Sequence, residues 1–180
     1  MRLQRGRAQL LLIDLQERLL AKIARRQALL SAVGKMVRVA QVLAIPIVVT
    51  EQYPAGLGRT DRSIRSLLPQ LEPIVKMDFS CCGQDGFLQA LAGPSRQQVI
   101  IVGIEAHVCV QQTALDLLTA GYEVFVCADA VGSRNEFDYD VALLRLQQAG
   151  VVVTTTEAVI FELLERAGTE EFRRVLQIVK

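Results

Sequence analysis

Histidine occurs once in this chain, at His107, so a site built on several imidazoles is excluded. The four cysteines, Cys81, Cys82, Cys109 and Cys127, lack the C-x2-C spacing of structural zinc, and no metal is expected. Neither G-x-G-x-x-G nor G-x-x-x-x-G-K-[ST] occurs, so nucleotide binding has no motif behind it and no cofactor is expected. No apolar stretch approaches the ~20 residues that span a bilayer. The N-terminal run "AQLLLI" is cut off by Asp14, and no small-residue cleavage site follows. It reads as a first strand rather than a signal peptide. An excess of charge is also missing. Lys and Arg number 20 against 19 Asp and Glu, a formal net charge of +1. Neither a nucleic acid nor a membrane is therefore expected as a partner. The irregularly spaced cysteines suit reduced thiols and a cytoplasmic location.

What the chain does have is apolar residues. They make up 51% of its 180 positions, and the mean hydropathy is +0.31. That richness points to fully buried strands or a subunit interface. The length suits one compact domain, residues 1–180, large enough to need no disulfide or metal.

Six short runs read as strands: residues 8–14, 44–50, 73–77, 97–104, 122–129 and 150–155. They are β-branched and nearly continuous, the pattern of a parallel sheet covered on both faces. Helical periodicity fills residues 25–43, 61–71, 107–120, 136–149, 156–167 and 169–178. Gly121 and Gly150 stand as C-terminal stops, and Ser133 with Glu136 suggests a capping box. The alternation predicts an α/β fold with a mostly parallel sheet. Ligands of such folds bind beyond the carboxyl ends of the strands. The polar residues expected at that edge are Asp14, Glu51, Gln52, Tyr53, Lys76, Glu105 to Cys109, Asp129 and Thr154 to Thr156.

Cys109 opens a helix directly after the strand "VIIVGI". The free N–H groups and dipole of a helix N-terminus favour a thiolate, though the dipole supplies only about one pKa unit. A small core thiol is the plainer alternative. His107 is the obvious base, but two residues along a helix sets the side chains about 200° apart. It reads instead as a turn or pocket-wall residue. Lys76 and Asp14 each end an apolar run at the same edge. Each alone is an ordinary strand-end charge; together with Cys109 they form an acid–cation–thiol cluster. Cys81 and Cys82 read as ordinary thiols, Cys127 as core, and "YPAGLG" as a loop at the binding edge.

The segments "LLIDLQERL", "VVTEQYPAGLG", "KMDFSCC", "VGIEAHVCVQQTALDLLTAGYEVFVCADAVGSR" and "GVVVTTTEAVIFELL" together resemble the isochorismatase-like cysteine hydrolases. The resemblance implies a three-layer αβα sandwich, Rossmann-like, with a six-stranded mostly parallel sheet. It places a catalytic triad on Asp14, Lys76 and Cys109, with a non-proline cis peptide at Ile104–Glu105. It implies an oxyanion hole from the N–H groups of Glu105 and Cys109, and a pocket bounded by Gln52, Tyr53, Phe79, Ile104 and His107. The activity implied is hydrolysis of a small amide, imide or related carbonyl compound through a thioester, in a homo-oligomer. The Asp-x-His metal motif of the family's nicotinamidases is replaced here by "TEQYPAG". A non-enzymatic oligomeric scaffold or ligand-binding member of the same fold is the alternative, and a redox role for Cys81 and Cys82 a third.

Overall fold

The computed structural model describes residues 1–70, 72–93 and 95–180. Six strands form the sheet: β1 (Ala8–Ile13), β2 (Ile47–Gln52), β3 (Ile74–Lys76), β4 (Gln98–Ile104), β5 (Glu123–Gly132) and β6 (Val152–Thr154). Their order is β3-β2-β1-β4-β5-β6 and every pairing is parallel. The helices among the described residues are α1 (Glu17–Leu20), α2 (Arg26–Val42), α3 (Pro54–Leu57), α4 (Arg62–Arg65), α5 (Phe87–Ala92), α6 (Gln111–Thr119), α7 (Glu136–Gln148), α8 (Thr156–Leu164) and α9 (Glu170–Val179). The three-layer α/β sandwich expected from the sequence is the observed architecture.

Alternation along each strand builds the layers. Leu10 and Leu12 of β1, Ile100 and Val102 of β4 and Phe125 of β5 face one way. They meet Leu29, Val33, Met36 and Val37 of α2, Ile160 of α8 and Val175 of α9. Leu11, Ile13, Val99, Ile101, Val124 and Val126 face the other way, against Phe87 of α5, Ala114 and Leu117 of α6, and Ala142 and Leu146 of α7. Burial on both faces is why the central strands read as continuous apolar runs.

Several boundaries differ from the sequence reading, each for a local reason. The second strand begins at Ile47, not at residue 44, because Ala44 turns the chain at φ 52 after α2. It then runs on through Gln52, carrying Thr50, Glu51 and Gln52 inside the sheet. The expected helix 61–71 is a single short element, Arg62–Arg65, capped by Asp61, whose side chain accepts from Ser63 N–H; residue 71 lies outside the described residues. Helix α7 is capped by Asn135 rather than Ser133: Asn135 Oδ1 accepts from Phe137 N–H at 3.0 Å. The "YPAGLG" loop contains α3. Fold and sequence agree on Gly121 and Gly150, both at positive φ beyond α6 and α7.

Candidate active site

The strand order reverses between β1 and β4, and ligand crevices of open parallel sheets lie at such a reversal. Asp14 follows β1 directly, and Cys109 lies in a wide π-type turn, Ala106–Val110, that links β4 to α6. Gly103 makes this closeness possible. It sits at φ 130, and a Cβ there would collide with the backbone N, C and O of Ile13. Only glycine lets β4 press against β1 at the residue before Asp14. The peptide between Ile104 and Glu105 is cis, as the resemblance implied.

Lys76 arrives from the edge strand β3, whose alternation turns Val75 and Met77 outward and Lys76 inward. Lys76 Nζ lies 2.7 Å from Asp14 Oδ2, and both side chains have no exposed surface. Its three N–H bonds have three further acceptors: Gln52 Oε1 at 2.6 Å, Asp78 O at 3.1 Å and Phe79 O at 3.1 Å. The ammonium is thus shared between the Asp14 carboxylate and three neutral oxygens. The other carboxylate oxygen, Oδ1, accepts from Thr50 Oγ1–H at 2.8 Å. Burial works against the Lys76 ammonium, but the charge of Asp14 and its hydrogen bond, with Cys109 and Cys81 adding to them once ionised, outweigh it, and its pKa is raised.

The sulfur of Cys109 faces the same carboxylate. Its residue is 6% exposed, against none for Cys81. Here the sequence expectation of a thiolate is corrected. Burial first, then the charge of Asp14, pushes the Cys109 thiol up to about 12, with Lys76 pulling only partly the other way. The dipole of α6 is too small to reverse that. The surroundings therefore favour the neutral form of the thiol. Cys81, on a single 3-10 turn (Cys81–Gly83), is a second thiol in the same field and has no exposed surface. Its Sγ lies 3.8 Å from Thr50 Oγ1, and burial with the Asp14 charge also holds it up at about 12.

The remaining expected residues divide. His107 has partners of its own: Nδ1 shares a hydrogen bond with Ser133 Oγ at 2.8 Å, and Nε2 lies 3.9 Å from Asp138. Gln52 is tied between Lys76 and Met77 O, so it braces the lysine rather than lining open space. Ile104 packs into the core, leaving only its backbone to a pocket. Tyr53 and Phe79 are 49% and 57% exposed and stand near the Lys76 end of the site. Glu51 and Asp129 have structural duties, Glu51 accepting from Thr60 and Asp129 from Thr156. Among the described residues no group of three or more His, Cys, Asp or Glu side chains is placed to hold a metal. Thr50 and Gln16 were not singled out by sequence, and Cys81 was read there as an ordinary thiol, with a redox role as one alternative. Gln16 binds both N–H and C=O of Gln52 through its side-chain amide. A signal existed for Thr50, the polar residue ending the run "IPIVV".

The isochorismatase domain model matches residues 8–158. The chain belongs to the isochorismatase family. Isochorismatase domain-containing protein 2 of Bos taurus is 39% identical over 176 residues, covering 97% of this chain and 84% of that protein. Among solved structures, the MAR1 ribonuclease of Caenorhabditis elegans superposes with TM-score 0.93 at 37% identity, covering 99% of this chain and 92% of that one. The YcaC gene product of Escherichia coli, described as an octameric hydrolase of unknown specificity, superposes with TM-score 0.87 at 26% identity, covering 99% and 87%. In this isochorismatase-family chain a buried cysteine pair, Cys81 and Cys109, shares its environment with the Asp14–Lys76 ion pair.

Proposed function

We propose that the protein is a cysteine hydrolase of small amides, imides or related carbonyl compounds, with Asp14, Lys76 and Cys109 as its triad. The carrying observation is the buried Asp14 carboxylate, paired with Lys76 at 2.7 Å while it also acts directly on the Cys109 thiol. Cys109 rather than Cys81 is taken as the nucleophile, because its residue keeps 6% exposure where Cys81 has none. A raised thiol pKa suits this chemistry. The neutral thiol keeps its proton until a carbonyl carbon approaches. Sγ then attacks the carbonyl carbon as the thiol proton passes to Asp14. The C=O electron pair moves onto oxygen, held by the N–H groups of Glu105 and Cys109. Collapse expels the amine, which takes the proton from Asp14, and leaves a thioester. Water, deprotonated by Asp14, attacks the thioester, and the acid departs as Cys109 recovers its proton. Lys76 stays charged throughout and offsets the sulfur's developing negative charge.

The test is a panel of small amides, imides and activated esters, with release of acid and amine measured. Turnover that disappears in Cys109→Ala and in Asp14→Asn supports the reading. Turnover that survives in Cys109→Ala defeats it. The Caenorhabditis elegans relative is named for RNA cleavage. A net charge of +1 offers a polyanion little overall attraction. RNA cleavage lost in Cys109→Ala, with no amide turned over, moves the site to phosphoryl transfer.

We also infer a homo-oligomer. Phe137, Val141 and Leu144 lie on one face of α7 and are 73%, 48% and 56% exposed. Such a stripe suits contact with another copy, and the Escherichia coli relative is octameric. Sedimentation of the wild type beside Val141→Asp tests it, a lighter species in the variant being the expected result.

A further inference from the structure

The geometry points to Thr50 as a positioning residue for the base, a reading that rests on the triad proposed above. The two oxygens of Asp14 are chemically equivalent in an isolated carboxylate. Here they are made unequal. Thr50 Oγ1–H donates to Oδ1 at 2.8 Å. Oδ2 faces Lys76 Nζ at 2.7 Å, an ammonium that it shares with Gln52 Oε1, Asp78 O and Phe79 O. Oδ1 carries the hydroxyl donor, and the Cys109 thiol meets the same carboxylate.

Thr50 does this because its own hydroxyl has little freedom. It is fully buried on β2, paired in register across from Ile13 at the end of β1. On its far side stands Cys81, with Sγ 3.8 Å from Thr50 Oγ1. Cys81 is fixed in turn by its backbone N–H, which donates to Thr113 Oγ1 at 2.9 Å on α6, the helix that follows Cys109. A hydroxyl has one proton to give. With the Cys81 thiol donating into Oγ1, that proton is directed to Asp14. The relay Cys81–Thr50–Asp14 therefore does two things. It keeps Oδ1 occupied, and its hydrogen bond favours the carboxylate form of Asp14 over the acid. Two residues along β2, Gln52 does the corresponding work for Lys76 by accepting from its Nζ at 2.6 Å. Thr50 touches neither substrate nor sulfur of Cys109 in this role, and it acts through Asp14.

The experiment follows the Asp14 carboxyl carbon by NMR in protein labelled with 13C-aspartate, the signal being assigned by its loss in Asp14→Asn. Wild type, Thr50→Val and Thr50→Ser are titrated from neutral pH down to the onset of acid unfolding. A hydrogen bond to a charged group translates into a titration moved by about one to two pH units. Asp14 in Thr50→Val is expected to protonate that much higher than in wild type, and Thr50→Ser to follow the wild type. If the valine variant does not fold, Thr50→Ala takes its place with the same expectation. Identical curves for wild type and the variants lacking the hydroxyl, with Cys109 still acylated by an activated ester, overturn the assignment of Thr50 alone. A curve that moves while Cys109 accepts no acyl group from any donor overturns the hydrolase reading, and the assignment with it.

Discussion

Replacing Lys76 by methionine tests the electrostatic frame of the site. Methionine fills nearly the same volume, so packing is largely kept. What is lost is the cation 2.7 Å from Asp14 in a place without solvent. Removing one partner of a buried ion pair costs about 3–5 kcal/mol, because the other charge stays behind without compensation. Three acceptors, Gln52 Oε1, Asp78 O and Phe79 O, lose their donor as well. For a chain of this size about 1 kcal/mol moves the melting temperature by about 2–4 °C. Lys76→Met is therefore expected to melt about 6–20 °C below wild type. The assay is thermal unfolding by circular dichroism at neutral pH, with Lys76→Met/Asp14→Asn beside it. Removing the stranded charge returns part of the loss, so the double variant melts above the single one. The pH dependence has a definite sign. The Lys76 pKa is raised on folding, so its contribution is complete below the ordinary lysine value and fades only as pH climbs through the raised one. Wild type loses this stabilisation only in strongly alkaline solution. A Lys76→Met variant melting within about 3 °C of wild type refutes the reasoning, as does a double variant no more stable than the single.

Other consequences can be checked as directly. Iodoacetamide at neutral pH is expected to modify Cys109 slowly in the wild type, since a thiol at about 12 leaves about one thiolate in 10⁵ at pH 7. A reaction plateau near neutral pH speaks against it. Asp14→Asn removes a charge that raises that thiol and leaves Lys76 in place, so alkylation of Cys109 is expected to rise about tenfold or more while turnover disappears. Peptide mapping after alkylation of the native protein should find Cys81 and Cys127 unmodified, both having no exposed surface. Gly103→Ala forces a Cβ into the Ile13 backbone. It is expected to cost about 3 kcal/mol or more, a fall of at least about 6 °C in melting temperature. His107→Asn keeps turnover within about tenfold of wild type, since His107 is bonded to Ser133 rather than to Cys109.

Much of this architecture was legible because buried parallel strands leave a strong trace. The runs at 8–14 and 97–104 are apolar throughout, since residues on both faces must be covered. Asp14 and Lys76 stood out as charges ending such runs. Helices of four residues, such as α1 and α3, leave no periodicity to read. The shift of β2 to Ile47–Gln52 came from Ala44, an ordinary residue held at positive φ, which no composition rule announces. It mattered, because it carried Thr50 and Gln52 into the sheet beside Asp14 and Lys76. The ionisation of Cys109 was the plainest miss. Position at a helix start argues for a thiolate, but burial, and after it the charge of Asp14 just beyond β1, almost a hundred residues earlier in the chain, work against one.

The central claim is that Cys109 carries the acyl group of the substrate. Acid quenching during turnover of an amide or activated ester, followed by peptide mass mapping, tests it most directly. The account predicts an acyl adduct on Cys109 that hydroxylamine removes, that vanishes in Cys109→Ala, and that, once formed from an activated ester, persists unhydrolysed in Asp14→Asn. Turnover with Cys109 unmodified, or an adduct on Cys81 or Cys82 instead, contradicts it.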